Sequence, residues 1–271
     1  MSANAKLQLA NVGKRFTLKD GAEAVAVQDF TLDVRQGEFL VIVGPSGCGK
    51  TTVLNLLAGL ELPTSGTLAL DGKLIRAPGA ERGVMFQDYA LFPWRTVWGN
   101  VEYGLVYGPA GRDLSVEARN ARVRHYVDLV GLKGSEQKYP HQLSGGMRQR
   151  VALARLMANE PEVLLMDEPL AALDAQTRLI LQDELLRIWG QARPASERRT
   201  VVFITHAIDE AVFLADRVAV MTSHPGRLKA VLDVNLARPR NDATRTDPAF
   251  QALAQHIWGL IRDEAYRATV T

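Results

Sequence analysis

The stretch Gly44-Pro45-Ser46-Gly47-Cys48-Gly49-Lys50-Thr51 decides the fold of this chain. It fits the phosphate-binding loop pattern in full, with four residues between two glycines, then lysine and a hydroxyl residue. The apolar run Phe39–Val43 precedes it at strand length, and a helical run from Thr51 to Leu60 follows it. Because strand, loop and helix occur in this order, the alternative of a chance glycine-rich turn is rare.

The loop predicts a triphosphate site. Its glycines let backbone N–H groups turn inward around phosphate oxygens, and the helix start adds a positive end. Lys50 is expected to reach the β- and γ-phosphates, and the Thr51 hydroxyl is expected to ligate Mg²⁺. Cys48 is interpreted as a small packing residue rather than a reactive thiol. The residues expected to bind the nucleotide here are Gly44, Pro45, Ser46, Gly47, Cys48, Gly49, Lys50, Thr51 and Thr52.

A second motif, Val163-Leu164-Leu165-Met166-Asp167-Glu168, places two carboxylates after an apolar strand. Ligands bind at the carboxyl ends of the strands in such sheets. Asp167 is therefore expected to hold Mg²⁺, directly or through water, and Glu168 to polarise the attacking water. The alternative interpretation is a solvated acidic turn. It is the minor one, because a phosphate-binding loop lies upstream in the same chain.

The fold class follows from the remaining runs. Val201–Thr205 and Val218–Met221 are near-continuous apolar runs typical of strands covered on both faces, and Gly83–Phe86 is a weaker one. The first 35 residues alternate apolar and polar side chains, as antiparallel strands with one wet face do. Residues 97–158 show helical spacing and no clear strand. These patterns predict an α/β protein with a mainly parallel sheet, an N-terminal antiparallel β subdomain and an inserted α-helical subdomain.

Composition limits the class of protein. The 271 residues contain 32 Lys and Arg against 30 Asp and Glu, a net charge of +2 that gives no case for nucleic-acid binding. The single cysteine excludes an internal disulfide and a zinc-binding cysteine cluster, and it fits a reducing compartment. No run approaches the roughly 18 apolar residues of a transmembrane helix, and the start lacks a secretory signal core. We therefore expect a cytoplasmic protein.

A third motif, Leu143-Ser144-Gly145-Gly146-Met147-Arg148-Gln149-Arg150, provides a second anion-binding helix start. One ATP does not need two such sites from one chain, whereas two chains arranged head to tail would each close Ser144 on the other's γ-phosphate. A glycine-rich loop between helices is the alternative. Together the three motifs resemble the nucleotide-binding subunit of an ATP-binding-cassette (ABC) transporter. In that family Ser144, Gly145 and Gly146 correspond to nucleotide-contacting residues of the signature.

The resemblance spans about residues 7–238 and implies a P-loop NTPase core of the RecA-like class. Gln87 matches the family glutamine that contacts Mg²⁺ and the attacking water, and His206 matches the histidine that contacts the γ-phosphate. Asp174 matches the loop that links the two sites across the dimer, and Phe16 matches the aromatic that stacks on adenine. Taken singly, these residues also suit a solvated loop, a strand end or core packing. The implied catalytic residues are Glu168, His206 and Gln87, and the implied metal ligands are Thr51, Gln87 and Asp167.

Three residues depart from the usual family pattern, and none removes a phosphate, metal or base contact: Met147 replaces glutamine, Ala171 serine and Ala207 aspartate. A narrower resemblance to nitrate, sulfonate and taurine importers lies in Pro78–Gly83, Leu91–Trp94 and Ser223–Arg227. In this family residues 88–98 receive the coupling helix of the membrane subunit. Trp94 therefore suits a partner surface, with packing inside the helical subdomain as an equal alternative.

The resemblance implies hydrolysis of ATP with Mg²⁺ by a homodimer docked on integral membrane permease subunits. The implied location is the cytoplasmic face of a bacterial inner membrane. A periplasmic solute-binding protein would act indirectly, and the solute would be a small anion of the taurine, sulfonate or nitrate kind. A family member acting on ribosomes or DNA is one alternative, which a single phosphate loop and near-neutral charge disfavour. A non-hydrolysing regulatory subunit is the other, which the full catalytic set disfavours.

The C-terminal region is predicted to hold one more helix. Asp247-Pro248 is typical of a helix start, and Phe250, Leu253, Ile257 and Ile261 form an apolar stripe. The stripe is expected to pack on the domain, with an extension of the dimer contact as the alternative. The polar residues 238–246 are typical of a linker. The expected domains are an ATP-binding domain, 1–240, with its helical subdomain at about 88–158, and a linker and helix, 241–271.

Overall fold

The computed structural model describes residues 5–270, and beyond residue 262 it describes the side chain of Glu264 alone. The strands are β1 (Ala5–Thr17), β2 (Glu23–Arg35), β3 (Phe39–Val43), β4 (Ser65–Leu70), β5 (Lys73–Leu74), β6 (Arg82–Met85), β7 (Val163–Asp167), β8 (Thr200–Ile204), β9 (Arg217–Met221) and β10 (Leu228–Asp233). The helices are α1 (Lys50–Ala58), α2 (Val97–Tyr107), α3 (Val116–Leu129), α4 (Gly145–Ala158), α5 (Ala175–Trp189), α6 (Ile208–Leu214), α7 (Asp242–Arg245) and α8 (Pro248–Val270).

A six-stranded sheet in the order β10-β9-β3-β8-β7-β6 forms the centre of the protein. Every neighbouring pair is parallel except β10 with β9. All residues of β3, β7 and β8 are buried, which explains their unbroken apolar runs. The predicted parallel sheet is confirmed, with strand ends shifted by one residue at most. Because parallel strands end at one edge, the predicted site residues that follow β3, β6, β7 and β8 lie along the same edge.

A second, antiparallel sheet has the order β2-β1-β4-β5, as the alternation in the first 35 residues predicts. Leu9 pairs with Leu32 on one side and with Leu68 on the other, and all three are buried. Their side chains share a core with Leu40 of β3 and Leu54 of α1. The short strands β4 and β5 and the edge strand β10 were not predicted, because their runs are mostly exposed or half-buried and lack a clear apolar signal.

Residues 97–158 contain the three α-helices α2, α3 and α4 and no strand. Each helix begins after a hydroxyl residue whose oxygen accepts a backbone N–H bond of the first turn: Thr96, Ser115 and Ser144. Helices α2 and α3 pack on α4. Val101, Val127 and Val151 are fully buried in a core that continues to Met166 on β7, so this helical unit is joined to the sheet by apolar packing.

The polar residues 238–246 are anchored to the protein rather than free. Arg240 is 3% exposed, and its guanidinium donates hydrogen bonds to the carbonyls of Val212, Phe213 and Ala215. Arg238 pairs with Asp216. In the sequence, the arginines of this segment suggest exposure to solvent. In the structure, the guanidinium of Arg240 donates to buried backbone carbonyls, and these bonds hold the segment on the domain. This part of the chain therefore continues the domain instead of leaving it.

Helix α8 begins at Pro248 after Asp247, as predicted, and Asp247 accepts the backbone N–H of Ala249. Phe250 and Ile257 are buried in the main core, and α8 packs on α6. The apolar stripe thus packs on the domain within this chain. Among residues 5–270, no helix combines the length and the apolarity needed to cross a membrane.

Candidate functional site

The phosphate-binding loop connects the buried end of β3 to the first turn of α1, and its backbone requires glycine. Gly47 and Gly49 have φ values of +74° and +94°, in the left-handed region that side chains disfavour. A Cβ on Gly49 would lie 2.7 Å from the carbonyl oxygen of Ala26 on β2. The N–H of Gly226 donates to that same carbonyl at 3.0 Å. The Gly49 side of the loop is therefore packed against its own chain, whereas Ser46 and Gly47 at the tip are exposed.

Lys50 lies inside the curve of the loop. Its side chain is 5% exposed, and Nζ donates to the carbonyls of Gly44 at 3.0 Å and Pro45 at 2.9 Å. A buried ammonium ringed by backbone groups is suited to bind phosphate oxygens. Burial raises the pKa of the Cys48 thiol, so this thiol stays protonated and acts as a packing group.

Asp167 ends β7 beside the start of α1. Its carboxyl group is buried and hydrogen-bonds to the Thr51 hydroxyl, while its Oδ1 atom has no hydrogen-bond partner. Burial raises the pKa of Asp167, and the bond from Thr51 and the charge of Lys50 act in the opposite direction. A carboxylate oxygen without a partner beside a hydroxyl is an all-oxygen set of the kind that Mg²⁺ prefers, so these residues fit the ion.

Glu168 and His206 contact each other directly. His206 Nε2 lies 2.6 Å from Glu168 Oε1, with the histidine about half exposed and the glutamate mostly covered. Glu168 has a φ of +45°, and its N–H donates to the carbonyl of Ile204 on β8 at 3.0 Å. A non-glycine residue in this region is strained, and the neighbouring strand holds it there. The arrangement joins a carboxylate to a histidine at the edge that holds the phosphate loop.

Gln87 follows β6 at the same edge and is exposed. It lies two residues past Met85, which pairs with Met166 on β7, as Glu168 lies two residues past Met166. The next residues, Tyr89 and Ala90, have positive φ values, and Arg155 donates to both of their carbonyls at 2.6 Å. Arg155 therefore holds the backbone of the loop that follows Gln87. The sequence did not predict this contact, since no pattern distinguishes such an arginine from any other arginine of a helix.

Ser144, Gly145 and Gly146 lie beside the start of α5, which Asp174 caps. The Ser144 oxygen accepts the Met147 N–H at 3.3 Å, which caps α4. A Cβ on Gly146 would lie 3.0 Å from the Thr177 methyl carbon, one turn into α5. Asp174 caps α5 through Thr177, and these hydrogen bonds lower the pKa of Asp174. Among residues 5–270, no hydrogen bond joins the Ser144 segment to the phosphate loop.

Two predicted aromatic groups lie on the surface. Phe16 is half-buried at the end of β1, opposite Ala24, with the Lys14 ammonium 4.8 Å from its ring centroid. Trp94 is 71% exposed and 5.7 Å from the ring of Phe92. Of the two alternatives for Trp94, the structure therefore favours an exposed partner surface over subdomain core.

Sequence reasoning also missed the polar groups behind the site. Thr205, Glu210 and Gln182 are buried close to His206. The side chain of Glu210 hydrogen-bonds to both Thr205 and Gln182. No motif marks them, since polar residues of a helix are ordinarily assigned to its wet face. Their burial depends on α5 and α6 meeting, which periodicity alone does not predict.

Several known proteins match this chain along most of its length. A family model described as ABC transporter matches residues 27–171. An uncharacterized ABC transporter ATP-binding protein of Methanocaldococcus jannaschii is 48% identical over 97% of this chain and 94% of its own length. A nitrate import ATP-binding protein of Synechococcus elongatus is 48% identical over 89% of this chain and 86% of its own length. A taurine import ATP-binding protein of Jannaschia sp. is 42% identical over 95% of this chain and 94% of its own length.

A solved structure is similar in fold. It is a dimeric ATP-binding cassette in a post-hydrolysis state, bound to ADP and Pi. It is 30% identical, with a TM-score of 0.73, and the match covers 84% of this chain and 99% of that one. The predicted fold class is confirmed by this likeness together with the two sheets.

Proposed function

The chain belongs to the ABC transporter family of ATPases, and on this premise we propose that it drives an importer for a small anionic solute. The observation that carries the proposal is the contact of Glu168 with His206, 2.6 Å apart, at the sheet edge that also holds Lys50. A base, a histidine and a phosphate-binding lysine at one edge suit the hydrolysis of a nucleoside triphosphate. The similar solved cassette was bound to ADP and Pi.

Each residue has a defined task in this proposal. The loop around Lys50 binds the β- and γ-phosphates through backbone N–H groups and the ammonium. Glu168 accepts a proton from the attacking water, and His206 holds the glutamate and contacts the γ-phosphate. Thr51, Asp167 and Gln87 would hold Mg²⁺, which supplies charge neutralisation on the phosphates when bound. Phe16 is proposed to stack on adenine.

The Ser144 segment supports a head-to-tail dimer. It is a second anion-binding helix start that the phosphate loop of its own chain does not use. We infer that Ser144, Gly145 and Gly146 contact the γ-phosphate bound to a second copy, and that Asp174 lies at the contact between the two sites. ATP then favours closure, because its γ-phosphate touches both chains only in the closed dimer. The similar solved cassette is dimeric.

The solute class and the membrane partner are inferred from relatives and surface. Two relatives carry the names of nitrate and taurine import ATP-binding proteins. The exposed Trp94, beside the Gln87 loop, suits a pocket of an integral membrane permease. The proposed location is therefore the inner face of the membrane that holds the permease, with a solute-binding protein acting on the far side. Within the chain we propose that the helical subdomain at about 88–158 belongs to one ATP-binding domain, on which helix α8 also packs.

Replacing the base tests the proposal. The Glu168→Gln variant keeps the size of the side chain and loses its ability to accept the proton. We expect phosphate release from Mg·ATP to fall by on the order of 10²–10⁴-fold, with ATP binding retained. The Lys50→Ala variant is the matched contrast, because it should weaken binding of a fluorescent ATP analogue. Parent-rate phosphate release by Glu168→Gln would contradict the role of Glu168.

A further inference from the structure

Arg245, Gln182 and Glu210 form a chain of hydrogen bonds that runs from α7 through α5 to α6. Glu210 is 4% exposed, and its Oε1 accepts a hydrogen bond from Gln182 Nε2 at 3.1 Å. Gln182 is 3% exposed, and its Oε1 accepts a hydrogen bond from Arg245 Nη1 at 2.9 Å. Buried polar groups of this kind are costly unless every partner is in place. Each link therefore restricts the position of the next.

Thr205 connects this chain to the turn that holds His206. The Thr205 hydroxyl hydrogen-bonds to Glu210, and its oxygen accepts the backbone N–H of Ala207 at 3.0 Å. These two bonds tie the Thr205 side chain, next to His206, to Glu210 on α6 and to the backbone N–H that follows His206. Burial raises the pKa of Glu210, and the bonds from Thr205 and Gln182 act against that rise. This row of hydrogen bonds thus ends beside His206, which contacts Glu168 directly.

The side-chain amide of Gln182 adopts one orientation between its two partners. Its oxygen faces the guanidinium of Arg245 and its nitrogen faces the carboxyl group of Glu210. In the opposite orientation, the Gln182 NH₂ group would face the N–H groups of Arg245, and the Gln182 oxygen would face the carboxyl oxygen of Glu210. Arg245 has three further partners, since its guanidinium lies 3.5 Å from the ring centroid of Phe213 on α6, 3.3 Å from Asp183 on α5 and 3.8 Å from Asp242 on α7. The position of α7 is therefore coupled to that of α6.

Resting on the proposed function, we propose that Arg245, Gln182 and Glu210 are positioning residues for ATP hydrolysis, which hold the His206 turn at its contact with Glu168. The C-terminal segment then affects the rate of a catalytic pair that it does not touch. Without the Arg245 bond, the Gln182 amide loses the partner that orients it, and Glu210 loses its fixed donor. The consequence reaches His206 and leaves the phosphate loop as it is, so kcat falls while KM for ATP does not change.

The test removes the Arg245 donors and keeps the length of the side chain. In steady-state phosphate release by the full chain, Arg245→Met should lower kcat roughly three- to tenfold, the range for one positioning hydrogen bond. KM for ATP should match the parent. Arg245→Lys should restore most of the rate, because an ammonium still donates to Gln182. Glu210→Gln should lower kcat in the same way, because its amide cannot reproduce the acceptor pattern of the carboxyl group.

Asp183→Asn is the matched control, because it removes one ion pair of Arg245 and keeps the bond to Gln182. We expect the parent kcat for this variant, and thermal unfolding of every variant shows that the chain is folded at the assay temperature. The inference is overturned by a parent kcat in Arg245→Met, by an equal loss in Asp183→Asn, or by a loss confined to KM or to the folded fraction. A parent chain that releases no phosphate would contradict the proposed function, and with it this inference.

Discussion

The two helix starts expected to bind phosphate differ in what surrounds them. The start of α1 is the more enclosed of the two, with Lys50 5% exposed and Gly49 against β2, although Ser46 and Gly47 at the tip of the loop are exposed. The start of α4 is more open at its first residues, with Ser144 exposed and no atom closer than 3.8 Å to a Cβ placed on Gly145. An enclosed helix start binds its ligand with groups of one chain, whereas an open one is available to a ligand held by another molecule. This difference supports the proposal that two copies share a phosphate site.

The enclosed helix start should be the more sensitive to added bulk. In Gly49→Ala, the new Cβ meets the Ala26 carbonyl at 2.7 Å, in a backbone conformation that only glycine adopts freely. We expect the free energy of unfolding to drop by about 1–3 kcal/mol and ATP binding to be lost. Chemical denaturation and titration with a fluorescent ATP analogue measure the two effects.

Gly145→Ala is the control at the open helix start. The added methyl group has space there and φ is not positive, so stability and ATP binding by the single chain should be retained. Equal losses of ATP binding in the two glycine variants would mean that the two helix starts do not differ as described.

The second prediction separates capping from catalysis. Ser144 and Ser115 cap α4 and α3 with similar hydrogen bonds, at 3.3 Å and 3.2 Å. Replacing either by Ala should therefore cost about 1 kcal/mol of stability. Only Ser144→Ala should also slow phosphate release, by roughly tenfold or more, because a hydrogen bond to a charged phosphate is lost. If Ser115→Ala slows hydrolysis equally, the loss of a cap explains the effect and Ser144 has no special role.

The third and smallest effect concerns the exposed aromatic surface. Trp94 is 71% exposed, so Trp94→Ala should change stability by within about 0.5 kcal/mol and leave ATP hydrolysis in solution unchanged. Its co-purification with the permease should fall, because an exposed aromatic contributes strongly to an interface. Trp258 on α8, 56% exposed, is the matched residue, and Trp258→Ala should keep the association. Retained association in both variants would remove Trp94 from the partner surface.

Local motifs predicted the parts of the site that follow a strand directly. A buried strand needs an apolar run, and the residues at its end lie at the sheet edge, so the positions of Asp167 and Glu168 could be read from the sequence, and the loop pattern after β3 placed Lys50. The contact between Glu168 and His206 was not predicted, because their strands are adjacent in space and distant along the chain.

The parts that could not be predicted are polar residues in buried positions. Arg240 and Glu210 look like surface residues in the sequence, and each is buried because segments far apart in the chain supply its hydrogen-bond partners. The edge strand β10 was missed for a related reason, since half-buried strands show no unbroken apolar run. Such features depend on tertiary packing, which hydrophobic periodicity does not record.

The molar mass of the Glu168→Gln variant in solution tests the central claim most directly. Light scattering on this hydrolysis-blocked chain should give a dimer with saturating Mg·ATP and a monomer without nucleotide. Adding Ser144→Ala should lower the dimer fraction at the same ATP occupancy. A chain that stays monomeric with saturating Mg·ATP, even when its permease is supplied, would contradict a phosphate site shared between Lys50 of one copy and Ser144 of the other.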